Sequence, residues 1–206
     1  MKIEGRALYI DVAGKSHSIE GVGKISADVA LQKLEVSGAL TFDEIICDAV
    51  KISGECTGKS LNAKKVSIEG TADIVTTKSD SFQLSGSANI GNLVSEKIII
   101  KSRKGTIDDI KCSELKIFHE EINSLDYSIL SEIFGSKMSN KSNSRIEIKS
   151  VDAETINMEN CEVEVIKCKD AFIGANCAIG KLFVAGKCKV ADDSTVGETI
   201  RTNPAV

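Results

Sequence analysis

The sequence predicts an all-β fold: a single-stranded parallel β-helix, a solenoid of short strands wound into one coil. Three observations carry the prediction. First, alternating apolar residues closed by glycine recur, as Ile19-Glu20-Gly21, Leu34-Glu35-Val36-Ser37-Gly38, Val50-Lys51-Ile52-Ser53-Gly54, Val66-Ser67-Ile68-Glu69-Gly70 and Phe82-Gln83-Leu84-Ser85-Gly86. The spacings of Gly21, Gly38, Gly54, Gly70 and Gly86 are 17, 16, 16 and 16 residues, and a fixed short period marks one unit stacked on itself. Second, the alternation has period two, which is the period of a strand. Third, the units carry no Asn-Gly or Asp-Gly hairpin signal between them and are shorter than the roughly 30 residues of a strand–helix–strand crossover. A coil in which each strand pairs in parallel with its equivalent one turn away satisfies all three.

Residues 1–16 are irregular, with Leu8, Ile10 and Val12 alternating, and are expected to form an irregular segment or a degenerate first turn. The regular turns span 17–119. Within them Val50 and Ile52 point inward, Gly54 turns the chain, and Cys56, Leu61 and Ala63 point inward again. Glycine suits such a corner because a left-handed or crowded backbone carries no Cβ penalty there. Ser102 and then His119 take the glycine slot in the later units. Residues 120–144 break the pattern. Ile122, Leu125, Ile129, Leu130, Ile133 and Phe134 recur at helical spacing, with Ser124 as N-cap and Gly135 as stop, so a helix is expected over 123–134 and a polar loop over 135–144. Strand alternation resumes at Arg145 and runs to about residue 200 through Ile146, Ile148, Ile156, Met158, Val163, Val165, Leu182 and Val184, with Gly186 as a further turn position. Residues 201–206 are a short tail.

Composition narrows the function. The 206 residues are 42% hydrophobic but only 4% aromatic, with no Trp, so the core is filled by Val, Ile, Leu, Ala and Cys rather than large rings. The net charge of −4 offers no basic stripe for nucleic acid. No apolar run reaches the roughly 18 residues of a membrane span, and the start lacks a secretion signal. Seven cysteines at wide spacings, without CxxC, fit buried free thiols in the reducing cytoplasm.

Few residues suggest chemistry. His119, beside Glu120 and Glu121 and next to the insertion, is the best candidate general base, and His17 lies near the start. Ile173-Gly174-Ala175-Asn176-Cys177-Ala178-Ile179-Gly180 carries a six-residue rhythm like that of hexapeptide-repeat acyltransferases, which makes an acyltransferase using His119 the enzymatic alternative. Cys161, Cys168, Cys177 and Cys188 cluster late in the chain but lack the tight pair of a zinc site. Asp108-Asp109 and Asp192-Asp193 are adjacent in sequence, so their side chains diverge rather than forming an acid–base pair. No phosphate-cradling glycine loop occurs. The expectation is therefore no catalytic residue, no metal and no cofactor.

The ladder of Val-x-Ile-x-Gly turns resembles bactofilins, the polymer-forming cytoskeletal β-helix proteins of bacteria, and most of all their short Firmicutes-type forms. The segments Ile129-Leu130-Ser131-Glu132-Ile133-Phe134-Gly135-Ser136-Lys137, Val151–Asn160, Val163-Glu164-Val165-Ile166-Lys167 and Phe172–Gly180 are the more specific part of the likeness, which covers about 17–200. The resemblance implies a right-handed coil, end-to-end self-assembly, no nucleotide and no catalysis. The partner is then the chain itself, as a homo-oligomer or filament in the cytoplasm. A protein partner docked on the inserted helix, or a scaffold that does not polymerise, are the other readings. Membrane association is a further alternative to a purely cytoplasmic place, although the polar face Ser124, Ser128, Ser131 and Glu132 lacks the Lys and Arg of a membrane-surface helix, which favours a protein partner over lipid.

Overall fold

A computed structural model describes residues 2–7, 14–25, 29–118 and 145–202. Among these residues the fold is a β-solenoid, all strand and turn with no helix. The strands are β1 (Lys2–Ala7), β2 (Gly14–Ile25), β3 (Val29–Phe118), β4 (Ile146–Met158), β5 (Cys161–Ile173), β6 (Ala178–Val184), β7 (Cys188–Val190) and β8 (Thr195–Arg201). They form one sheet in the order β1-β2-β3-β4-β5-β6-β8, with β7 beside β5, and every pairing is parallel. β3 is no flat ribbon: it winds through several turns, each stacked on the last. The helix expected over 123–134 and the loop over 135–144 lie outside the described residues.

The winding follows from where the apolar residues fall. In one turn the buried residues are Leu34, Val36, Leu40, Phe42, Ile45 and Cys47, before Val50 begins the next. Their steps are two, four, two, three, two and three. A step of two stays on one face of a strand, and a step of three reverses which parity points inward. Each step of three is therefore a corner without glycine. The step of four is the third corner, and it passes through Gly38. Three short faces of two inward residues each make one turn, and the same steps repeat from Val50 and from Val66.

The glycine corner is the most constrained point. Gly38, Gly54, Gly70 and Gly86 hold φ of 130°, 133°, 133° and 136°, a region that side-chain-bearing residues avoid. They also stack on one another. A Cβ on Gly54 would lie 2.0 Å from the carbonyl oxygen of Gly38, and one on Gly70 would lie 2.0 Å from that of Gly54. Gly21, with φ 96°, pairs with Gly38 on one side and with Gly5 of β1 on the other, so the column of glycines runs back to the first strand. After Gly86 the sequence puts Ser102 in the slot. Its hydroxyl is buried and donates to the Lys104 carbonyl at 2.9 Å, while the positive φ moves to Gly105, at 154°. The turn lengthens there. Asn89 bonds Asp73, 16 residues back, at 3.0 Å, but Thr106 bonds Asn89, 17 residues back, at 2.9 Å.

Beyond Arg145 the corners change. The buried residues Ile146, Ile148, Val151, Ala153, Ile156, Met158 and Cys161 alternate steps of two and three, so this turn is shorter, and Val163 pairs with Ile148, 15 residues earlier. At the corner that glycine occupied, Asn160 stands at φ 53°, and Asn176 follows one turn later at φ 56°. Asparagine tolerates single left-handed positions better than most residues. The Asn176 side chain donates to that of Asn160 at 2.7 Å, tying the two corners together. Gly186 differs from the early glycines: its φ is not left-handed, but a Cβ there would meet the Asp170 carboxylate at 2.5 Å and the Lys169 carbonyl at 3.0 Å. Close approach, not backbone conformation, accounts for it. The six-residue spacing of Ile173 and Ile179 is one pair step plus one corner, not a hexad. Three hexads would make a turn of about 18 residues, whereas paired turns here are offset by 15 to 17.

The two halves form one coil. Gly105 pairs with Ile146 and Ile117 with Met158, so the last turn of β3 stacks in register on β4 although residues 119–144 intervene. The Glu159 amide donates to the Ile117 carbonyl at 3.1 Å, which continues the ladder past the insertion. Inward columns therefore run the length of the molecule. Ile110, Val151, Ile166 and Leu182 stack in one, and Cys112, Ala153, Cys168 and Val184 in its neighbour.

Two predictions follow from this packing. Gly70→Ala requires both a strained φ and an impossible 2.0 Å contact, so it should destabilise by about 3 kcal/mol or more in urea unfolding. Gly174→Ala meets its nearest neighbour at 3.1 Å without a positive φ and should cost much less. Thr77 is wholly buried, and its hydroxyl has no hydrogen-bond partner among the described residues. The isosteric Thr77→Val should stabilise by about 1 kcal/mol, read as a raised urea midpoint.

Candidate functional site at the rims of the coil

Most residues singled out by sequence lie within the wall of the coil. The five early glycines line one corner, and Gly186 occupies another point near the C-terminal end. Ile122, Leu125, Ile129, Leu130, Ile133 and Phe134, with His119, Glu120 and Glu121, lie outside the described residues. The Asp108 carboxylate pairs with Lys149 at 2.7 Å, while its neighbour Asp109 accepts a hydrogen bond from Ser150. Asp192 and Asp193 are exposed. Among the described residues no group of three or more His, Cys, Asp and Glu is placed to hold a metal ion.

The cysteines divide by environment. Cys47, Cys56, Cys161 and Cys177 are buried, and Cys112, Cys168 and Cys188 are partly buried against the core; all are free thiols. Burial pushes Cys56, Cys112 and Cys168 up to about 12, which leaves them protonated and inert.

Two surface grooves follow the corners. One of about 680 Å³ is lined by Val163, Val165, Ile179, Gly180, Val196 and Gly197 among others, and it opens toward the last turn. The other, of about 520 Å³, runs along Ser79, Ser95, Cys112 and Ala153, where small side chains leave the wall concave. In it the Ser79 hydroxyl donates to that of Ser95 at 3.1 Å, which in turn donates to the Lys97 carbonyl at 3.1 Å. Among the described residues neither lining contains a histidine.

The rims are different from the wall. Among the described residues β8 pairs with β6 alone, β7 with β5 alone, and β1 with β2 alone. Each of these strands therefore turns an edge of backbone N–H and C=O groups away from the sheet. The core also opens at the C-terminal rim. Leu182 is fully buried, but Thr199, its partner one turn on, is exposed, and Val190 and Val196 are only partly covered. Sequence patterning missed this because it marks which residues face inward, not which have a turn above them.

At the other rim, His17 stacks under Leu34 in the inward column that continues to Val50 and Val66. Both ring nitrogens are shielded from solvent and have no hydrogen-bond partner among the described residues. Burial, chiefly, lowers its pKa below the ordinary histidine value. No family model, no curated protein and no solved structure matches this chain.

The pH dependence of this rim follows from the sign of that shift. Above about pH 6.5 the ring is neutral in folded and unfolded chains alike, and its packing contribution is complete. As pH falls below that value the unfolded chain takes up the proton more readily, so stability is lost toward the lower folded-state pKa. Amide exchange in residues 17–25, corrected for intrinsic rates, should lose protection between pH 7 and 5. His17→Leu, which extends the aliphatic column, should remove that loss.

Proposed function

We propose that this chain is a structural, self-associating protein, a bactofilin-like cytoskeletal or scaffold element of the cytoplasm whose copies stack end to end. The carrying observation is that, among the described residues, the outermost strands keep one edge unpaired while the inward columns run to the rim. A second copy laid on β8 would extend the same parallel ladder and cover Thr199, Val196 and Val190. Stacking uses what each turn already does inside the molecule, so it requires no new kind of contact. The remainder of the proposal is that the coil is right-handed, carries no catalytic site and uses no cofactor. The turn offsets of 15 to 17 residues, rather than about 18, favour it over a hexapeptide-repeat acyltransferase. No helix among the described residues is long and apolar enough to cross a membrane.

Sedimentation velocity and negative-stain imaging of the purified chain test the assembly. The expected result is concentration-dependent dimers or filaments with the width of a single coil. Thr199→Lys places a charge on the face that a second copy would cover, so it should lower association at least about tenfold while leaving the monomer folded by circular dichroism. A strict monomer from micromolar to millimolar concentration overturns the proposal.

A further inference from the structure

One pair of cysteines is set apart by register. Glu162 pairs with Ala178 and Val163 with Ile179, so the residues preceding them, Cys161 and Cys177, occupy equivalent positions one turn apart. Parallel neighbours lie about 4.8 Å apart, inside the Cα window of about 4.4–6.8 Å that a disulfide spans. Both side chains face inward and are buried, 0% and 2% exposed. No other cysteine has this arrangement. Cys112 pairs with Ala153, Cys168 with Ala153 and Val184, and Cys188 with Ala171, while the residues sixteen beyond Cys47 and Cys56 are Ala63 and Ala72.

The surroundings of the pair are polar and ordered. The Cys161 thiol reaches the Glu159 carbonyl at 3.1 Å, and the Cys177 sulfur lies 3.6 Å from the Met158 carbonyl and 3.7 Å from that of Ala175. The Cys177 amide donates to the Ser194 hydroxyl at 2.8 Å, and that hydroxyl donates to the Gly174 carbonyl at 2.6 Å. Arg145 donates to Asn176, which brings its guanidinium to the same corner. The Cys161 thiol lowers the pKa of Cys177, helped by Ser194 and Arg145, while Cys161 itself is pushed up by Cys177 and by burial. Of the two thiols, Cys177 is thus the more readily deprotonated. The corner residues Ala175 and Asn176, directly outside Cys177, are exposed.

We propose that Cys161 and Cys177 form a paired-thiol oxidation site, closed to a disulfide by a hydroperoxide, that staples two adjacent turns near the C-terminal rim. The Cys177 thiolate attacks one peroxide oxygen, the O–O bond breaks, and the departing oxygen takes a proton to leave as water or an alcohol. Cys177 is then a sulfenic acid. The Cys161 sulfur attacks the Cys177 sulfur, the S–O bond breaks, and the hydroxide leaves as water with the Cys161 proton. Two electrons pass from the pair to the peroxide. The bond closes a loop that lies wholly within one turn, so it clamps β5 to the turn carrying β6.

The test is oxidation of the folded, full-length chain with stoichiometric hydrogen peroxide, followed by denaturing alkylation and peptide mass spectrometry. A cross-linked peptide joining Cys161 to Cys177 is expected, with the other five cysteines alkylated and the link reversed by dithiothreitol. In Cys161→Ser, a dimedone adduct should accumulate on Cys177 instead. In Cys177→Ser, Cys161 should remain alkylatable. Because the mapping is done on the native sequence, it stands even if a variant folds poorly. Full alkylation of both cysteines after peroxide treatment, or links spread evenly among the seven thiols, overturns the proposal.

Discussion

Vertical register governs this molecule: every residue must tolerate its own equivalent about 4.8 Å above and below. The glycine corner shows the demand most severely, since each glycine lies against the carbonyl of the one beneath it and leaves no space for a Cβ. The same rule sets the composition. A ring placed in one turn must be offset in the next, and Phe42 illustrates it, because a Cβ on Gly58, one turn on, would lie 2.2 Å from that ring. A coil built this way can hold few aromatics, and the chain has few. Outside, register produces columns of opposite charge, such as Lys59 on Asp43 and Lys64 on Asp48, each at 2.7 Å. These pairs are well exposed, so they contribute little to stability, but like charges in the same columns would oppose stacking.

Corner chemistry tunes the length of a turn. A glycine corner spans a four-residue step, and the Asn160 corner spans three, which accounts for offsets that drift between 15 and 17. The inward columns survive the drift because the slack is taken up at the corners and not along the faces. Ser194 and Asp170 do similar work late in the coil, where Asp170 accepts the Lys187 amide at 2.7 Å. Side-chain oxygens there replace the conformational freedom that glycine supplies earlier.

Much of the solenoid was legible in the sequence because period-two alternation and the glycine spacing are direct imprints of stacked strands. Val50, Ile52, Cys56, Leu61 and Ala63 are buried as that alternation predicts. The later turns were harder to read. With glycine replaced by Asn160, the corner shortens and the period slips, so the repeat looks degraded although the stacking is unbroken. The Ile173–Ile179 spacing misled for a related reason: a pair step plus a long corner has the length of a hexad. The exposure of Thr199 and the partial cover of Val190 and Val196 were illegible altogether, since alternation marks inward positions and not what lies over them. The pairing of Cys161 with Cys177 was equally hidden, because it emerges only once the offset between their turns is known.

The ladder passes in register from β3 to β4 although residues 119–144 separate them in the sequence. The polymer proposed above would inherit that arrangement. Each subunit adds roughly 40 Å of axial rise, at about 4.8 Å per turn, and repeats every exposed residue of its wall. A filament would then present each such residue, the exposed ring of Phe172 among them, at regular intervals along its length, as graduations on a ruler.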